Sequence, residues 1–131
     1  MKGVWIMVAA LVAATGAQAA TPEAREAYRA ALKRIAADHN KARAMCRSLT
    51  GHARRVCFAE ADADDKKAIA SAEADYRDTP RARHNAKIAE ADANYAVARV
   101  KCADQAGDAR RECLRTAKAM YADAVKQAPA K

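Results

Sequence analysis

Four cysteines are the residues with the most chemistry open to them, and they fall in two identical spacings. Cys46 and Cys57, then Cys102 and Cys113, are each C-x10-C, with Gly51 or Gly107 five residues after the first Cys. On one unbroken helix a separation of eleven residues rises about 16 Å, whereas a disulfide tolerates a Cα separation of about 4.4–6.8 Å. A bridge within either pair therefore requires the chain to turn between its cysteines. A reversal around Ser48 to Gly51 sets Cys46 and Cys57 on facing helices, and the second copy can do the same. Of the three pairings open to four cysteines, the spacing predicts Cys46–Cys57 with Cys102–Cys113, because each closes locally and the copies are equivalent. Each closure is worth on the order of 3 kcal/mol in the chain-entropy model, a large share of what so small a domain can hold.

Other chemistries for these residues fit less well. A zinc site would draw on the cysteines with His39, His52 or His84, but zinc ligands sit two to four residues apart within each half-site, not ten. In the second copy His52 is replaced by Asp108 and His39 by Tyr95. A redox-active pair would read C-x-x-C, which is absent. Nucleophilic catalysis has little to work with: beyond residue 19 the serines are Ser48 and Ser71, with no G-x-S-x-G elbow. The expectation is therefore no catalytic residues, no metal and no cofactor. Glu60, Asp62, Asp64 and Asp65 alternate around a helix surface without EF-hand spacing. They read as a solvated face, with Asp62 to Lys66 and Glu73 to Arg77 as i,i+4 pairs.

The elements that must hold the cysteines follow from a repeat. A shift of 56 positions superposes both cysteines, Gly51 on Gly107, Ala53 on Ala109 and Arg54-Arg55 on Arg110-Arg111. Thr21-Pro22 and Thr79-Pro80 each offer a capping hydroxyl followed by proline at the first helical position. Helices one and three begin there and run to a glycine, which takes the left-handed conformation that closes a helix. Helices two and four return from near His52 and Asp108. Tyr28, Leu32, Ile35, His39, Ala42, Cys46 and Leu49 step by four and three along helix one, as Ile88, Ala91, Tyr95, Ala98, Cys102 and Gln105 do along helix three. The returning seams are expected at Cys57, Ala61, Asp64, Ala68 and Ser71, and at Cys113, Ala117, Met120, Ala124 and Gln127. Residues 22–50 carry seven basic and three acidic groups and residues 51–79 five and seven, which favours pairing within the first hairpin.

Composition agrees. Of 131 residues 39 are Ala, and beyond Ala20 only seventeen side chains are large and apolar or aromatic, so helix is favoured and the core is thin. Met1 to Ala19 reads as an export signal: Lys2, an apolar run from Val4 to Ala14, and Ala17-Gln18-Ala19 as the cleavage motif, with cleavage after Ala19. Eleven or twelve apolar residues span only about 18 Å, too short for a stable transmembrane anchor. Arg54, Arg55, Arg110 and Arg111 recur at the start of each returning helix as candidate anion-binding residues, aimed at phospholipid or lipopolysaccharide. Nucleic acid is not an expected partner, since an exported chain rarely meets it.

The motif C-x4-G-x-A-R-R-x-C, seen as Cys46-Arg-Ser-Leu-Thr-Gly-His-Ala-Arg-Arg-Val-Cys57 and Cys102-Ala-Asp-Gln-Ala-Gly-Asp-Ala-Arg-Arg-Glu-Cys113, lies within Ala/Lys/Arg/Glu helix. In this the chain resembles small exported bacterial proteins of unknown function often labelled TolA-like cell-envelope proteins. The resemblance covers roughly residues 25–128 and implies envelope residence and a disulfide-tied helical build, without an activity. The expected protein is all-α and periplasmic: two tandem antiparallel helical hairpins, four coiled-coil-like helices, each hairpin with one disulfide. Residues 1–19 form the signal peptide, 20–79 the first hairpin and 80–131 the second. Its expected role is that of a non-catalytic structural or interaction protein of the cell envelope. A binding module for anionic envelope components, a stress holdase and an inhibitor of a secreted hydrolase are the other readings. Packing of the hairpins as a four-helix bundle and extension end to end around Asp78-Thr79-Pro80 are both open at this level.

Overall fold

Alanine loses no side-chain entropy in a helix, so a chain this rich in it forms helix wherever glycine, proline or a cap does not interrupt. The computed structural model describes residues 20–131, and the export-signal reading, which concerns residues 1–19, lies outside them. Four helices result: α1 (Pro22–Cys46), α2 (Gly51–Arg77), α3 (Pro80–Cys102) and α4 (Gly107–Lys126). Among the described residues there is no strand. The two proline starts are capped as expected. Thr21 Oγ1 accepts from the Ala24 N–H and Thr79 Oγ1 from the Ala82 N–H, each at 3.1 Å. Between α2 and α3 the reversal needs only two residues. Asp78 takes the left-handed conformation at φ 46°, which a short polar side chain tolerates, and Arg83 holds its carboxylate at 2.6 Å.

The glycines differ from expectation in their place. Both have positive φ, 57° at Gly51 and 56° at Gly107. They do not close α1 and α3, which end at Cys46 and Cys102; each glycine is instead the first residue of the returning helix. The turn before it is tightened by short-range bonds, Arg47 N–H to Ala44 and Leu49 N–H to Cys46, repeated as Ala103 to Val100 and Gln105 to Cys102. Four residues are thereby enough to reverse the chain.

The helices alternate in direction, and only neighbours in sequence pack against each other. Among the described residues no Cα of α1 comes within 8 Å of α3 or α4, and none of α2 within 8 Å of α4. The two hairpins lie side by side through α2 and α3, in one layer rather than a closed bundle. Both glycine turns consequently sit at the same end, about 40 Å along α2 from the Asp78 turn. The buried residues are Ala61, Ala63, Ala74, Ala82, Ala91, Ala93, Ala117, Cys46 and Cys102, so the interior is made of methyl groups and sulfur.

Burial follows the expected seams on α1 and α3 as far as the cysteines, where Tyr28, Leu32, Ile35, His39, Ala42 and Cys46, and Ile88, Ala91, Tyr95, Ala98 and Cys102, are wholly or partly buried. Leu49 and Gln105, expected to continue them, are exposed in the turns because the helices end at Cys46 and Cys102. On the returning helices the seams shift. Asp64, Ser71, Met120, Ala124 and Gln127 are exposed, and Asp65, Ala72 and Tyr76, or Leu114, Tyr121 and Val125, are partly buried in their stead. An inner helix must serve two neighbours, so α2 also turns Val56, Ala59, Ala63, Lys67, Ala70 and Ala74 away from solvent toward α3. The positions 56 residues on, along α4, include Glu112, Arg115, Asp123 and Lys126, all exposed. On α3 the inner side is Ala82, Ala86, Ala89, Ala93, Val97 and Val100; its α1 counterpart carries Glu26, Lys33 and Lys41 and is also exposed. The repeat is thus conserved within hairpins and diverges on outer faces, where charge ends the layer as a polar cap ends a repeat array.

Candidate functional site

The tips carry the covalent bonds. Cys46–Cys57 and Cys102–Cys113 are disulfides with Cα separations of 5.5 and 5.7 Å, and no cysteine is free. Cys46 and Cys102 are fully enclosed at 0% and 1% exposure, which seals each bridge from one side. Gly51 and Gly107 stand at the tips, and a Cβ added at either would meet nothing within 4 Å, so their requirement is one of backbone conformation alone.

The four candidate anion-binding arginines divide. Arg54 folds back over its own turn, Nε donating to the Leu49 carbonyl at 2.6 Å and a terminal nitrogen to the Arg47 carbonyl at 2.7 Å. Those carbonyls lie just past the negative end of α1, so a cation there stabilises the turn rather than awaiting a ligand. Arg111 is paired with Asp108 one turn away on α4. Arg55 and Arg110 are exposed and, among the described residues, have no side-chain partner.

Below the first tip lies a polar cluster that sequence reading missed. Asp62 accepts from His39 Nε2 at 2.7 Å and from Arg43 at 2.6 Å, and His39 Nδ1 is 3.9 Å from Asp65. The same Arg43 guanidinium lies 4.6 Å over the Phe58 ring. Burial pushes the Asp62 carboxyl upward, but the hydrogen bonds and charges of His39 and Arg43 outweigh it and hold the carboxyl below the ordinary 3.8. Neighbouring Glu60 reaches the other way, to Lys101 of α3 at 2.7 Å, and Asp64 pairs with Lys67 at 2.8 Å. The four carboxylates are therefore engaged, three of them across helices, and the expected Asp62–Lys66 pair does not form. Glu73–Arg77 does, at 2.7 Å. One signal was available: α2 is the only helix with more acidic than basic residues, six against five, and it lies between α1 and α3.

The corresponding layer of the second hairpin has no ion pair. His39 and Asp65 are matched by Tyr95 and Tyr121, whose rings stand 5.2 Å apart. A hydrogen bond to the Asp92 carboxylate, and its charge, raises the Tyr121 phenol above the ordinary 10.0. At the open end Tyr28 stacks on Tyr76 at 4.7 Å, whereas His84 donates from Nδ1 to the Pro129 carbonyl at 2.7 Å. Family models, curated proteins and solved structures yield no match to this chain.

Chemically, the His39–Asp62–Arg43 cluster is a clasp: one carboxylate oxygen of α2, Asp62 Oδ1, accepts from two donors of α1. His52 Nδ1 is the one buried side-chain nitrogen or oxygen without a partner among the described residues, and its counterpart is the exposed Asp108. No three His, Cys, Asp or Glu among the described residues are grouped to hold a metal ion. An open groove of about 520 Å³ runs beside the second disulfide, between Ala98, Cys102, Cys113, Ala117 and Met120. No described helix is long and apolar enough to cross a membrane.

Proposed function

We propose that the chain is an exported, non-catalytic interaction protein of the cell envelope that presents the disulfide-stapled end of its helical layer to a partner. The observation that carries this reading is where the cross-links lie. The most extensive helix contact, α2 with α3, has none, while each four-residue turn at one end of the layer is locked by its own disulfide. Cross-links placed so give shape to the tips at little benefit to the broadest interface. Two disulfides fit an oxidising compartment, which agrees with the export signal read at Met1 to Ala19 and with the resemblance to envelope proteins.

A holdase is less well supported, since it needs broad apolar surface. Met45, Leu49, Ile69 and Met120 are the large apolar side chains exposed among the described residues, and they are spread over three helices and a turn. Cross-linking in intact cells tests the proposal. Adducts should disappear when Arg47, Leu49 and Arg55 are substituted and persist when Glu112, Arg115 and Asp123 on the outer face of α4 are changed. The opposite dependence would overturn it.

A further inference from the structure

The two tips share a backbone and differ in what they show to solvent. From His39 to Ala59 the chain has five basic residues and no acidic one; the matched stretch, Tyr95 to Arg115, has five basic residues and Asp104, Asp108 and Glu112. Apolar groups change in parallel. Met45 and Leu49 are 66% and 39% exposed, and their counterparts are Lys101 and Gln105. In the second tip Arg111, Arg115 and Lys101 are each paired with a carboxylate, of Asp108, Glu112 and Glu60. In the first, Arg43 and Arg54 are engaged internally, while Arg47 and Arg55 are exposed and, among the described residues, their side chains have no partner.

Building on the interaction reading above, the geometry points to the first tip as a docking surface for an anionic phospholipid bilayer. Met45 and Leu49 enter the headgroup boundary, and Arg47 and Arg55 lie against lipid phosphates. Exposed apolar side chains beside uncompensated arginines suit a membrane interface, where burial of the former and attraction of the latter act together. The partner must carry negative charge, because this stretch offers only positive. Exposed apolar Met45 and Leu49 set next to exposed Arg47 and Arg55 favour a bilayer, which takes up apolar and cationic groups at one boundary, over an acidic protein. The second tip, where carboxylates pair three of the five basic side chains and no large apolar side chain takes the places of Met45 and Leu49, stays off the surface.

Co-sedimentation of the oxidised protein lacking residues 1–19 with phosphatidylglycerol/phosphatidylcholine vesicles, across a salt series, tests this. Binding is expected at low salt, falling as salt rises, and absent from pure phosphatidylcholine. Arg47→Gln with Arg55→Gln should weaken it about twentyfold or more, taking about fivefold per lost cation. Met45→Gln with Leu49→Gln, which keeps the charge, should weaken it about tenfold. Arg110→Gln with Arg111→Gln, the same charge loss at the other tip, should change it less than twofold. None of the four first-tip side chains holds the turn, and non-reducing peptide maps verify that each variant keeps both disulfides. No binding to anionic vesicles at low salt overturns the inference, as does equal sensitivity to the two arginine pairs or indifference to the apolar pair. If vesicles fail while tip-dependent adducts persist in cells, the bilayer is the wrong occupant and an acidic protein replaces it; the interaction reading then stands.

Discussion

The first and second hairpins are superposable in their turns, disulfides and seam spacing, yet are held together differently. In the first, α1 and α2 carry opposite charge excess and are clasped by His39, Arg43 and Asp62 as well as by the bridge. In the second, α3 and α4 both have more basic than acidic residues, and a tyrosine pair replaces the clasp. The lesson is that one backbone plan tolerates a polar or an aromatic layer at the same height, provided that the cysteine and alanine layers next to it are kept. It also implies that the two disulfides, equal in loop length, are unequal in what remains when they are removed.

That inequality is open to direct attack. Cys102→Ser with Cys113→Ser should cost about 3 kcal/mol in denaturant unfolding, and hydrogen exchange should show α4 fraying as a unit. Cys46→Ser with Cys57→Ser should cost a similar amount but leave α1 protected, because the clasp and the Tyr28–Tyr76 stack remain. Equal fraying of α1 and α4 would erase the distinction. Overfilling the shared interface is the next largest effect. Ala93→Leu, at a site 3% exposed on the α2 side of α3, should cost about 1–3 kcal/mol and loosen both hairpins together. Gly51→Ala and Gly107→Ala should each cost about 1–2 kcal/mol from the left-handed backbone alone, and equally, since neither new methyl meets a neighbour.

The smallest effect is in pH, and its sign differs between hairpins. Asp62 is held below 3.8 in the fold, so its contribution is present above that value and fades as pH falls through the lowered folded value. Tyr121 is raised above 10.0, so its contribution is present below that value and is lost as pH climbs past it. Exchange at acid pH should therefore loosen α1 first, and at alkaline pH α4 first. Asp62→Asn should abolish the acid difference without touching the alkaline one.

Much of this plan was legible in the residues. The 56-residue offset, the local cysteine pairing, the proline-marked starts of α1 and α3, and the seams of those helices up to Cys46 and Cys102 all follow from spacing, because each has one bulky stripe. Spacing does not show that the helices stop there and leave Leu49 and Gln105 exposed. The returning helices were harder to read. Alanine and aspartate offer similar small volumes all round α2, so periodicity cannot tell Asp64 from Asp65, and an inner helix hides two stripes in one sequence. On α4, Met120 was placed in the seam for its bulk, yet it is 67% exposed while Tyr121 and Val125 turn inward. Arg54 was read as a ligand group because sequence does not show that the carbonyls of Arg47 and Leu49 lie within its reach. The side-by-side arrangement is visible in hindsight, in the mostly alanine and valine inner faces of α2 and α3 beside charged counterparts on α4 and α1.

The claim on which the rest depends is that both stapled tips stand at one end of a single helical layer. Pulsed dipolar spectroscopy between spin labels attached at Ser48 and Asp104 by non-cysteine chemistry measures it. With helix axes about 8–10 Å apart, the two labels should lie roughly 20 Å from each other, before allowance for label length. A distance near 80 Å, the span of two hairpins of about 40 Å set end to end, would contradict the layer and separate the tips.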